Sequence, residues 1–243
     1  MSDAAYQVQT MLSMLGYRPG GLDGDQGAKT NAALREAGLG TLPLEQAAEA
    51  LAQRIERLRA SVPYITLAQY KALAPKGRSS WIGPLNLFLS QTLTTRARLP
   101  MVLAQLGHES GGFRYAVEQG VDSSARYYPH IGRGPLQITW EDNYNAAGDF
   151  IGTTLTGSAE RRALLELPAI GFQAAAWYWL HHNLQALVDV GDFEGLTRAI
   201  NGGLNGYADR QHRLAAAQSL FPRRGGPTGR RPDRSSRRTR RKP

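Results

Sequence analysis

The chain has 243 residues, 42% of them hydrophobic, with no cysteine and a formal charge of +9. That suffices for a catalytic core of about 160 residues beside a small second unit. The composition excludes disulfides and thiolate metal sites, and no run of roughly 18 apolar residues offers a membrane helix. The opening Met1-Ser2-Asp3-Ala4-Ala5-Tyr6 lacks the basic flank of a secretory signal, so folding in a cytoplasm is expected.

Residues 4–58 read as a helix, a glycine-rich turn around Asp23-Gly24, a second helix, and a third from Leu44 to Leu58. From these residues alone, a helical bundle without a ligand reads about as well as a binding unit. The pattern Val8-Gln9, Leu12, Leu15-Gly16-Tyr17, Gly20, Leu22-Asp23-Gly24, Gly27, Thr30 and Ala33-Leu34 resembles the three-helix peptidoglycan-binding module. The resemblance implies bacterial peptidoglycan as a partner and a unit spanning 1–60.

Leu99 to Gly107 has helical apolar periodicity, with Pro100 suited to a first turn. His108-Glu109-Ser110-Gly111-Gly112-Phe113 then places an acid at its end. A continuous helix from Glu109 to Glu118 would set the two carboxylates about 180° and roughly 13 Å apart. Gly111 and Gly112 stop it instead, because glycine accepts the left-handed conformation that closes a helix. Glu118 can then return across a cleft. An inverting glycosidase needs such a pair, one acid to protonate the leaving oxygen and one carboxylate about 6.5–9.5 Å away to activate water.

In Gly132-Arg133-Gly134-Pro135-Leu136-Gln137-Ile138-Thr139 the alternation predicts a strand, with Leu136 and Ile138 on one face and Gln137 and Thr139 on the other. A helix from Trp140 to Phe150 follows, carrying Asn143 and Tyr144, and Thr139-Trp140-Glu141-Asp142 also reads as its capping box. Asn201-Gly202-Gly203 reads as a helix end, and Trp177 and Trp179 as core. His181 and His182 diverge by about 100° on a helix and make a poor ligand pair. No metal, cofactor or phosphate-cradling loop is expected.

Together, Ala104 to Phe113, Gly132 to Thr139 with Asn143-Tyr144, Ile200 to Leu204, and Asp209-Arg210 resemble glycoside hydrolase family 19, which holds chitinases and many bacteriophage endolysins. The resemblance spans about 64–221 and implies a mostly α chain: a lysozyme-like α+β catalytic domain over 61–221 with the small three-helix module. It implies Glu109 as general acid, Glu118 as base, Thr139 as holder of the water, and Gln137, Asn143 and Asn201 as substrate contacts, with Tyr144 beside them. Arg210 matches a family arginine near the acids, able to hold a carboxylate charged. His130 stands where the family usually has an aromatic, sugar-binding residue, and the resemblance places it among the substrate contacts. The reading is an endolysin that cuts β-1,4 bonds of peptidoglycan for host lysis, made without a signal peptide and acting as a monomer in the periplasm. A lytic transglycosylase, a chitinase and a non-enzymatic cationic wall-binding or membrane-disrupting protein are its rivals.

Residues 222–243 carry nine arginines and Lys242 against Asp233, so the tail holds the whole positive excess and residues 1–221 sum to zero. With Gly225-Gly226 and four prolines it is expected to be disordered. Its charge suits lipopolysaccharide, anionic lipid or nucleic acid. A solvated extension without a role is the plain alternative.

Overall fold

The computed structural model describes residues 3–222; the Arg-rich segment lies almost wholly outside them, as do the expectations attached to it. The regular elements of the described chain are helices. Its first three helices are α1 (Asp3–Met14), α2 (Ala28–Glu36) and α3 (Leu44–Arg59). Val8, Leu12, Ala33, Leu34, Ala47 and Leu51 close them around a small apolar core. The turn between α1 and α2 is built on Gln9. Its side-chain amide donates to Asp23 Oδ1 (2.6 Å) and its carbonyl accepts from Gly24 N (2.9 Å), so a buried polar group organises the glycine-rich segment.

A larger body follows with α4 (Leu67–Leu73), α5 (Ile82–Gln91), α6 (Leu99–Glu109), α7 (Glu141–Ile151), α8 (Ala159–Ala163), α9 (Pro168–His181), α10 (Leu184–Asp189), α11 (Phe193–Asn201) and α12 (Tyr207–Leu220). Helix α4 opens with a capping box from Thr66 and Gln69. Helix α6 packs chiefly on α12, and α9 on α5 and α7. Every residue from Leu99 to Gly107 is buried, so α6 is a core helix. Trp179 is fully buried and donates to Gln185 Oε1 at 2.6 Å; Trp177 is 2% exposed, so both tryptophans are core.

The bundle is docked against this body. Met14, Leu22, Ile55, Leu93 and Leu180 form one buried cluster across the seam, each contributing roughly 1.5–3 kcal/mol. Ser13 donates to Leu180 O (2.6 Å), and Arg98 grips Asp189 bidentately (2.6 and 2.7 Å) while donating to Met14 O at 3.2 Å.

Two local expectations are corrected. The β part of the α+β reading shrinks, among the described residues, to isolated bridges Val117 with Arg133 and Arg133 with Ile138. Arg133 and Ile138 exchange both backbone hydrogen bonds (3.0 and 2.8 Å) around a four-residue loop, because Gly134 (φ +75) and Gln137 (φ +54) take left-handed backbone. The segment is therefore a tight hairpin-like turn and no extended strand forms. The capping box at Thr139 is also absent: α7 starts at Glu141 after Trp140 (φ +77), and Thr139 Oγ1 donates to Gln137 O (2.9 Å) instead.

Candidate active site

Glu109 is the last residue of α6. Ser110 caps the helix from within, its hydroxyl donating to Leu106 O (2.6 Å) and accepting from Phe113 N (2.9 Å). Gly111 (φ +57) and Gly112 (φ +79) turn the chain back, and a Cβ on Gly111 would meet the Tyr115 ring at 2.6 Å. The returning segment pairs with the loop before the turn: Glu118 N donates to Gly132 O (2.7 Å) and Gly134 N to Ala116 O (2.8 Å). That pairing carries Glu118 to the cleft.

Both acids open into one cavity of about 610 Å³. Gln137, Thr139, Asn143 and Asn201 line it with them, and so do Tyr127, Trp140 and Tyr178, which the sequence reading did not single out. The two acids are held differently. Glu109 Oε1 accepts from Arg210 Nη2, while Arg210 Nη1 donates to Gln105 Oε1. Arg210 is only 1% exposed and Gln105 is fully buried, so the guanidinium is a strut beneath the acid and lies outside the cavity wall. Glu118 has no cation among its partners. Its Oε1 accepts from the Tyr127 hydroxyl and its Oε2 from Gly132 N, both at 2.9 Å. The bond to Glu118 in turn pushes the Tyr127 hydroxyl above its ordinary range. Position 132 is tight: a Cβ there would stand 3.0 Å from Gln137 Oε1 and 3.3 Å from Glu118 Cβ, so both side chains would have to give.

The polar floor is preset by its own backbone. Gln137 Nε2 donates to Gly134 O (2.9 Å), Asn143 Nδ2 to Thr139 O (2.8 Å) and Asn201 Nδ2 to Asn205 O (3.0 Å). Each amide keeps its carbonyl oxygen as an acceptor. Thr139 likewise gives its proton to Gln137 O, which leaves its oxygen free to accept. Trp140 is 45% exposed at the rim and meets Tyr127 edge to face at 5.5 Å. Burial, together with the charge of Glu109, raises the Tyr178 hydroxyl.

Two further expected contacts stand away from the cavity. Tyr144 is fully buried; its hydroxyl donates to Ile131 O and accepts from Arg133 Nη1 (2.7 Å). Arg133 also reaches Glu166 (3.0 Å) and Pro129 O (3.2 Å), so Tyr144 and Arg133 brace the loop from behind. His130 is 7% exposed, packs edge-on to Tyr144 at 5.1 Å, and its Nε2 has no hydrogen-bond partner. Burial holds it below the ordinary histidine range, against the pull of Glu141. Among the described residues, no cluster of three or more His, Asp or Glu is placed to hold a metal ion.

The profile of the family described as Chitinase class I matches residues 102–187. An endochitinase of Arabidopsis thaliana is 40% identical over 153 residues, covering 58% of this chain and 51% of its own. The chain thus spans about half the length of the curated relatives it matches. The crystal structure of a bacterial family 19 chitinase superposes with a TM-score of 0.54 at 25% identity, over 68% of this chain and 98% of that one. Chitinase C of Streptomyces griseus shares the fold with a TM-score of 0.50 at 22% identity, over 65% and 92% of the two chains. The helical body that forms the cleft is therefore similar in fold to family 19 chitinases, and residues 102–187 within it match the Chitinase class I profile.

Proposed function

We propose that the chain is an endolysin-type glycoside hydrolase that cuts β-1,4 bonds of bacterial peptidoglycan with inversion. The observation that carries this reading is the pair of acids opening into one cavity, Glu109 on an arginine strut and Glu118 held by neutral donors. In the proposed reaction Glu109, paired with Arg210 at rest, takes up a proton from solvent, gives it to the bridging oxygen as the glycosidic bond breaks, and returns to the carboxylate that Arg210 holds. Glu118 takes a proton from a water that attacks the anomeric carbon from the other side, and Thr139 accepts that water's second hydrogen. The amide acceptors of Gln137, Asn143 and Asn201 suit hydroxyl and N-acetyl donors of the sugars. Trp140 and Tyr178 offer apolar surface.

The choice of peptidoglycan rests on the docked three-helix bundle, whose sequence pattern resembles a wall-binding module. In this reading the enzyme is made in a host cytoplasm, acts as a monomer, and reaches the wall through a partner's pore. The Arg-rich tail serves it as a polyanion contact. A second reading is favoured by the relatives: the proteins that match this chain are named as chitinases, so chitin is the rival substrate.

Digestion of purified peptidoglycan and of chitin oligomers, followed by mass spectrometry, decides between them. The proposal expects saturated reducing-end products from peptidoglycan, first released as the α anomer. Anhydro-muramic ends indicate a transglycosylase, and cleavage of chitin alone indicates a chitinase. A Glu109→Gln variant that lyses cells as well as the parent indicates a non-enzymatic cationic protein.

A further inference from the structure

A second cavity, of about 330 Å³, opens at the seam between the bundle and the helical body. Arg18, Gly20 and Lys29 supply one wall; His182, Asn183 and Leu187 supply the other. Neither half forms it alone, and the seam that shapes it is fixed. Asn183, in left-handed backbone at φ +53, donates to Gly20 O at 2.8 Å. His181 Nδ1 accepts from Leu22 N at 3.2 Å.

The charges at this cavity are unlike those in the rest of the seam. Arg98 is neutralised by Asp189, whereas Arg18 and Lys29 are exposed and make no ion pair with any described residue. Two uncompensated cations beside one concavity repel each other and favour an anion between them.

The cavity is also tied to the cleft. His182 packs at a tilt against Tyr178, with ring centroids 4.1 Å apart, and Tyr178 lines the active-site cavity. The two residues are one turn apart along α9, about 6 Å of rise.

We propose that the seam cavity is a subsite for a carboxylate on a short peptide substituent of the glycan in the cleft, with Arg18 and Lys29 as its charge partners. The proposal rests on the reading of a peptide-substituted glycan as substrate. It assigns the seam a role in specificity, since an unsubstituted glycan has nothing to place there.

The test uses the full chain and an Arg18→Gln, Lys29→Gln double variant, whose exposed, unpaired side chains leave the fold's contacts intact. Binding of an N-acetylated tripeptide, of its C-terminal amide and of inorganic phosphate is followed by NMR at Arg18, Lys29, His182 and Asn183. The expected result is that the free-carboxylate peptide binds the parent at least five-fold more tightly than the variant, and more tightly than the amide or phosphate. On intact peptidoglycan the variant's KM rises three- to ten-fold with kcat unchanged; on peptide-stripped glycan KM stays at the parent value. Equal affinity of parent and variant, preference for phosphate, or an equal KM change on both glycans overturns the assignment. If the parent leaves peptidoglycan uncut while peptide binding still depends on Arg18 and Lys29, the substrate reading falls and the carboxylate subsite stands.

Discussion

Arg210 is where the stability of the body and the placement of the acid meet. Replacing it with methionine keeps most of the volume but removes the cation from Glu109 and the donor from buried Gln105. Breaking a buried pair costs about 3–5 kcal/mol when the partner stays charged. An unsatisfied buried amide costs about 1–3 kcal/mol. The Glu109 side chain is 16% exposed, so water offsets part of the first cost. The total expected is about 3–5 kcal/mol, because the two losses share one relaxation. For a chain of this size that lowers Tm by roughly 6–20 °C, measured by circular dichroism. Activity should fall about a hundred-fold, since a displacement of the order of 1 Å in a reacting group is that costly. The Glu109→Gln, Arg210→Met double variant removes the stranded charge and should recover at least about 1 kcal/mol of the lost stability. A methionine variant with parental activity and a Tm within about 2 °C of the parent refutes the strut.

Glu109→Gln should abolish glycan hydrolysis, read by product release from purified peptidoglycan, with the circular dichroism spectrum parental and Tm lowered, because buried Arg210 keeps its charge and loses its carboxylate. Tyr127→Phe removes one of two donors to Glu118 and should lower kcat about ten-fold with KM little changed; an unchanged kcat would show that Gly132 N alone positions the base. Gly132→Ala should cut activity more than Tyr127→Phe, because the new methyl group presses against Glu118 and Gln137 and displaces both, and steady-state kinetics on both variants tests that order. Burial holds His181 below its ordinary range against the pull of Asp23, and burial takes His182 down to about 4. The unfolded chain thus binds protons first, so stability is full above about pH 6.5 and declines as pH falls toward 4. Thermal melts should show that decline, and it should flatten in a His181→Asn, His182→Asn variant.

Much of the cleft was legible because it hangs on helix punctuation. Pro100 at the start of α6 and Gly111-Gly112 after Glu109 act through local backbone preference, which needs no knowledge of the rest of the fold. The third helix of the bundle was legible for the same kind of reason: its apolar face is regular from Leu44 to Ile55. The turn at 134–137 was not. Alternation sorted Leu136 and Ile138 inward correctly, but the left-handed conformation of Gln137 goes with the return of Ile138 to pair with Arg133, which alternation cannot register. Tyr144 was drawn toward the substrate by nearness to Thr139 and His130 by a family position, whereas the brace centred on Arg133 takes both behind the wall. Tyr178 had a usable signal. Between Trp177 and Trp179 on one helix, it diverges from both by about 100°, and two core neighbours send it toward the cleft.

The seam between bundle and body removes the slack that a tether would supply. A binding unit on a flexible arm raises local concentration over a sphere of positions, and any polymer end within reach benefits. Here Arg98, Ser13 and the apolar cluster around Leu180 set one separation and one angle. With the bundle as the wall-binding unit proposed above, two-point attachment would work like a caliper: it would reward a stiff, extended lattice whose spacing matches, and give a short soluble oligosaccharide no gain over the cleft by itself.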